Sequence, residues 1–97
     1  MDESLMDDVL AGLLRKDASL AALVLSEFLA EGKQDELLLA LREMTNAFGG
    51  VHTFAERVGL NPPELDCDLS RKGNPLLSSF MVTLKNMGMQ LRVRSLP

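Results

Sequence analysis

The sequence has no tryptophan and no tyrosine, and only four phenylalanines among its 97 residues. Its core must therefore be aliphatic, built from Leu, Val, Ala and Met. It has one cysteine, Cys67, which excludes an internal disulfide and suits a reducing, cytoplasmic compartment. Cys67 and the lone His52 are too few for a zinc site of the usual kind. The longest apolar run, around Leu20–Leu29, is broken by Ser26 and Glu27 and is too short and too polar to span a membrane. The N-terminal stretch is acidic, the wrong charge for a signal or transit peptide. There is no internal repeat and no low-complexity segment, and Gly49-Gly50 lacks both the spacing and the following Lys of a phosphate loop. No nucleophile, metal cluster or paired acid–base set stands at a useful spacing, so neither an enzyme nor a cofactor is expected.

One further absence is positional. No acid follows Asp68, whereas Arg71, Lys72, Lys85, Arg92 and Arg94 do. The chain up to Asp68 holds all fourteen acids against five bases, a net −9, and the stretch from Leu69 onward carries +5. The overall charge of −4 thus conceals an acidic body with a basic end, a distribution that can present a local positive surface. The plainer reading is an ordinary solvated surface.

What is present is a 46% apolar chain, enough for one globular domain over residues 1–97 and too short for two cores. The apolar spacing predicts an all-α bundle of five to six helices. Ser4–Lys16 carries Leu5, Val9 and Leu13 on one stripe, with Met6, Leu10 and Leu14 beside it. Asp7 and Asp8 near its start and Arg15 and Lys16 near its end suit the helix dipole. Asp17 is placed to cap a second helix, Ala18–Glu31, with Leu20, Leu23, Val24, Phe28 and Leu29 as its apolar residues and Gly32 as its stop. A third, Asp35–Phe48, directs Leu37, Leu41, Met44 and Phe48 inward.

The stretch Gly50–Pro75 organises the rest. His52–Val58 and a helix starting at Pro62 flank Gly59, and Ala55, Gly59, Leu60 and Leu65 stand at the spacing of a helix-turn-helix. His52 reads as a helix-start residue. Asn61 is a good N-cap, Pro62 suits the first helical position, and Glu64 stands where a capping box has its acid. Leu65 and Leu69 face inward, and Gly73 ends the helix. A sixth helix, Leu76–Met87, directs Leu77, Phe80, Met81, Leu84 and Met87 inward, and Gly88 stops it. Met89–Arg94 then alternates strictly between apolar and polar residues, the period of a strand. A lone strand leaves its backbone groups unpaired. The expectation is a homodimer whose two copies pair these strands antiparallel through Met89, Leu91 and Val93. The alternative is a tail lying on its own helices.

Over roughly residues 17 to 94 the chain resembles the addiction-module antidote proteins, small antitoxins with a lambda-repressor-like helix-turn-helix. The likeness rests on Glu27–Gly32 followed by Glu36–Leu41, on Phe54-Ala55-Glu56-Arg57-Val58-Gly59-Leu60, and on Gly73-Asn74-Pro75 followed by Leu84-Lys85-Asn86-Met87-Gly88-Met89-Gln90-Leu91. It implies a helix-turn-helix core over 35–88, an N-terminal helical extension over 1–34 and a dimerising strand over 89–94. It also implies a protein that binds a RelE-like toxin and represses its own operon.

The chain departs from the family on the helix that would read DNA. Pro62, Asp66 and Cys67 replace the family's Arg, Tyr and Lys there. Lys and Arg contacts to phosphates supply most non-specific DNA affinity. Pro62 and Pro63 remove two N–H donors from the helix N-terminus, and Glu64, Asp66 and Asp68 would repel phosphate. The candidate DNA contacts are Arg57, Asn61, Arg71 and Lys72, with Lys33 nearby. Two functions follow: an antitoxin that still binds its operator weakly, or a protein-binding relative that keeps the fold and has lost DNA recognition.

Overall fold

Each helix of the chain begins or ends at a residue whose chemistry stops it. A computed structural model describes the backbone of residues 3–97 and the side chains from Val9 onward. It contains α1 (Glu3–Lys16), α2 (Ala18–Ala30), α3 (Gln34–Met44), a 3-10 turn (Thr45–Phe48), α4 (Val51–Val58), α5 (Pro62–Asp68) and α6 (Leu77–Asn86). Asp17 separates α1 from α2, and its carboxylate accepts from the Ser19 N–H at 2.9 Å. At the end of α2 the Lys33 N–H reaches back to the Phe28 carbonyl at 2.9 Å across Gly32, a Schellman closure.

The third helix is shorter than its apolar spacing predicts. Thr45, fully buried, donates its hydroxyl to the Arg42 carbonyl at 2.6 Å. Such a back-bond competes with the α-helical ladder, and the chain tightens there into the 3-10 turn. Phe48, at the end of that turn, packs against Phe54 of α4 with ring centroids 5.2 Å apart.

α3 is the central element. Leu37, Leu38, Leu41 and Met44 are all buried on it, and α1 and α2 both pack against it. With Leu25, Phe54, Ala55, Leu65, Leu69 and Leu84 they form one core, an aliphatic interior with a single fully enclosed ring. The stripe residues Leu5 and Met6, and the acids Asp7 and Asp8, lie outside the described side chains. Of the rest of that stripe, Leu14 is buried and Val9 is half exposed.

Two helix faces differ from expectation. α2 buries Ala21 and Leu25, while Leu20, Leu23 and Leu29 point outward. Its sequence is apolar on almost every side, so periodicity cannot select a face. The fully buried Ala21 is a small residue at the contact, which suits a close approach to the neighbouring helices. α6 buries Thr83, Leu84 and Met87, with Phe80 partly covered, while Leu77 and Met81 face out at 66% and 52% exposure.

The strand expected over 89–94 is absent from the single chain. Residues 89–97 have no regular secondary structure, and no strand occurs among the described residues. A strand is defined by its ladder of inter-strand hydrogen bonds, and the helical body offers no edge to pair with. Instead α6 closes in a second Schellman motif: Met89 N–H donates to Leu84 O at 2.9 Å and Gly88 N–H to Lys85 O at 3.0 Å. That closure folds Met89 back onto the core, and the chain leaves the body a few residues later.

Candidate functional site

α4 and α5 pack closely on each other and are joined by the short link Gly59 to Asn61. The corner needs a left-handed residue, which Gly59 supplies at φ 78°. The Leu60 N–H then donates to Ala55 O at 2.9 Å, fixing the exit from α4. Asn61 starts α5: its side-chain oxygen accepts from the Glu64 N–H at 3.0 Å. Pro62 follows at the first helical position.

The far end of α5 is held by a residue that sequence spacing did not single out. Arg42, in the last turn of α3, donates Nε–H to the Leu69 carbonyl at 2.9 Å. Its Nη2 donates to the Asp66 carbonyl, and its Nη1 pairs with Asp66 Oδ1 at 2.8 Å. One guanidinium thus satisfies carbonyls that the end of a short helix leaves without partners and neutralises the acid beside them. The available signal was an arginine in the last turn of a central helix, opposite an acid two helices further along the chain. Such a long-range pairing is invisible to local periodicity.

Beyond α5 the turn is anchored by a close approach. A Cβ on Gly73 would sit 1.9 Å from the Asp68 carbonyl oxygen, so only glycine fits. Gln34, at the start of α3, donates Nε2–H to the Gly73 carbonyl at 3.1 Å. The Gly73-Asn74-Pro75 triplet is therefore a structural joint between α5 and α6.

The chain belongs to the family of probable addiction module antidote proteins. The family model matches residues 7–95, nearly the whole chain. No curated protein and no solved structure matches it. Antidote families are in general non-enzymatic. Among the described residues no group of His, Cys, Asp and Glu could hold a metal ion, and no helix is long and apolar enough to cross a membrane.

In this antidote-family chain the DNA contacts expected from the sequence lie on several different elements. Arg57 is exposed on α4, and Arg71 and Lys72 are exposed in the turn after α5. Asn61 is committed to the cap of α5. Lys33 is committed too: it pairs with Glu31 at 2.9 Å, and that hydrogen bond and charge raise its ammonium above the usual lysine range.

The acids on α5 do not all face outward as the sequence implied. Asp66 turns back toward α3 and Arg42, and Asp68 is partly covered. The exposed stripe of α5 is Pro63, Glu64 and Cys67, one acid and no base. A polar cavity of about 450 Å³ lies behind the helix, lined by Arg42, Glu43, Asn46, His52, Asp66 and Arg71 among others. Two arginines and two acids line it, so it has no excess of positive charge to draw a phosphate.

Of the residues nominated for dimerisation, Met89 packs on its own core, Leu91 is 37% exposed and Val93 is completely exposed.

Proposed function

We propose that this protein is an antitoxin that neutralises a partner toxin by binding it. In this reading the α4–α5 pair is a lambda-repressor-type helix-turn-helix retained as a structural unit, with DNA reading reduced or lost. The observation that carries it is the exposed stripe of α5. A helix inserted in the major groove reads bases with side chains on its outer face and is held by Lys and Arg on the phosphates. Pro63, Glu64 and Cys67 supply neither, and the nearest arginine of α3 is spent on Asp66.

The toxin-binding half rests on family membership and on charge. The body of the chain up to Asp68 carries fourteen acids against five bases, complementary to a basic partner such as a RelE-like toxin. Neutralisation by occlusion needs no catalytic residue and no cofactor. The direct test is calorimetric titration of this chain with the product of the gene beside its own. A tight one-site complex whose affinity falls as salt rises supports the reading. Absence of binding at low salt sinks it.

A second reading, operator repression, is favoured by one feature: Arg57, Arg71 and Lys72 are all exposed near the α4–α5 pair. Three phosphate contacts would give a slope of log K on log salt of about −3. Anisotropy titration of duplex from upstream of the gene, against a scrambled duplex, separates the two. The first reading expects equal and weak binding to both. A sequence-specific complex with that slope establishes the second.

A further inference from the structure

A cavity of about 350 Å³ lies where the end of α2, the start of α3 and the start of α6 come together. Its apolar lining is Phe28, Leu29, Leu37, Pro75, Leu77 and Phe80. Leu29 and Leu77 line it while standing 48% and 66% exposed, so the cavity opens to solvent. Leu76, next to Leu77 in the chain, adds further uncovered apolar surface at 72% exposure. Among the polar groups of the lining, the Gln34 amide is already spent, donating to the Gly73 carbonyl at 3.1 Å. The cavity thus offers an occupant mainly apolar contact, at a volume within the roughly 300–1,000 Å³ of binding pockets.

We propose that this cavity is the anchor pocket for the partner toxin, receiving one apolar side chain that projects from a basic face of that protein. The inference rests on the toxin-binding reading above and assigns that binding a surface. Leu29 and Leu77 close over the incoming side chain, and the charged residues around the opening set which partners can approach.

Charge selects the occupant. The lining comes from residues 28–38 and 74–80. The first segment holds three acids, Glu31, Asp35 and Glu36, and one base, Lys33, and the second holds no charged residue, a net −2. All four charged side chains are exposed, and Lys33 lies between the lining residues Gly32 and Gln34. The field of all three acids acts on its ammonium, so the four form one cluster with acid in excess. Such a surround repels the phosphates of a nucleic acid or of an anionic membrane. A second copy docked here through a two-fold contact would bring the same net −2 to both sides of the interface. A basic protein gains from both features. Its apolar side chain fills the pocket, where interfaces concentrate their binding energy. Its Lys and Arg residues meet the acids, which steers the encounter.

The test titrates the full-length chain with the product of the gene beside its own, by calorimetry. Leu29→Arg and Leu77→Ser are each expected to bind at least about ten-fold more weakly than the wild type, with unchanged far-ultraviolet dichroism. Both side chains are exposed, and a base in the last turn of α2 suits the helix dipole, so the fold is expected to hold. Leu77→Ser keeps the test decisive if Leu29→Arg does not fold. Val93→Asp, on the fully exposed tail, is expected to leave the affinity within about two-fold of the wild type. Asp35→Asn combined with Glu36→Gln is expected to associate more slowly and with a shallower salt dependence. Wild-type binding that is indifferent to both Leu29→Arg and Leu77→Ser overturns this inference and leaves the toxin-binding reading standing. So does a loss caused by Val93→Asp instead, which moves the contact to the tail. Self-association of the wild type that Leu29→Arg abolishes, read by sedimentation equilibrium of the chain alone, overturns it in favour of a second copy. No binding by the wild type removes the reading itself, and this inference with it.

Discussion

Arg42 and Asp66 meet at 2.8 Å through their side chains and again through the Asp66 carbonyl, which Arg42 Nη2 also contacts. The two contacts have different worth. The ion pair joins side chains that are 33% and 46% exposed, where solvent screens most of the attraction. The carbonyl contacts to Asp66 and Leu69 replace helix bonds that α5 cannot make. Asp66→Ala is therefore expected to cost below about 1 kcal/mol, and Arg42→Ala about 1–3 kcal/mol. Urea unfolding of both variants checks the order. Equal costs would show that the ion pair, and not the carbonyl clamp, fixes α5 to α3.

Two glycines are predicted to respond in opposite directions. Gly73 is wedged 1.9 Å from a backbone oxygen, so Gly73→Ala must shift the α5–α6 joint and cost about 1–3 kcal/mol. Gly12 lies inside α1 with nothing within 4 Å of an added methyl group. Gly12→Ala is expected to stabilise by about 0.5–1 kcal/mol, a rise of several degrees in Tm. Differential scanning calorimetry of the pair reads both signs.

Asn61 separates a capping role from a recognition role. As the N-cap of α5 it should be replaceable by Asp at little cost, whereas Asn61→Ala should lose about 1 kcal/mol. If Asn61 instead contacts DNA, Asp would be the more damaging change in any DNA-binding assay while leaving the Tm unchanged.

DNA affinity should be recoverable. Cys67→Lys together with Glu64→Gln puts a base on the exposed stripe of α5 and removes its acid. Non-specific duplex binding is expected to strengthen, with a salt slope steeper by about one unit for the added phosphate contact. No change in slope would mean that α5 does not approach the duplex at all, whatever its charge.

How much of this was legible in the sequence depended on the range of the interaction. The Asp17 and Asn61 caps, the Gly59 corner and the Gly32 and Gly88 stops are local rules, and the structure has each of them where the residues placed it. The inward positions of α3 and α5 were legible because their polar faces are unmistakable. α2 hid its face because Leu20, Leu23, Leu25 and Leu29 surround it. α6 misled in the same way through Leu77 and Met81, whose apolar character marks exposed surface. Arg42 was counted only as a charge, because its partners Asp66 and Leu69 lie on an element far along the chain from α3. The same distance along the chain hides the direction of Asp66: spacing on α5 alone places it outward, and only its partner on α3 turns it inward.

The tilted stack of Phe48 on Phe54 gives this protein an optical signature of its own. With no tryptophan or tyrosine in the chain, the fine structure of phenylalanine in near-ultraviolet circular dichroism is its sole intrinsic report of side-chain packing. In a mixture with any partner, every photon emitted by indole or phenol therefore comes from the partner. Complex formation can be watched from the other side without labelling either molecule.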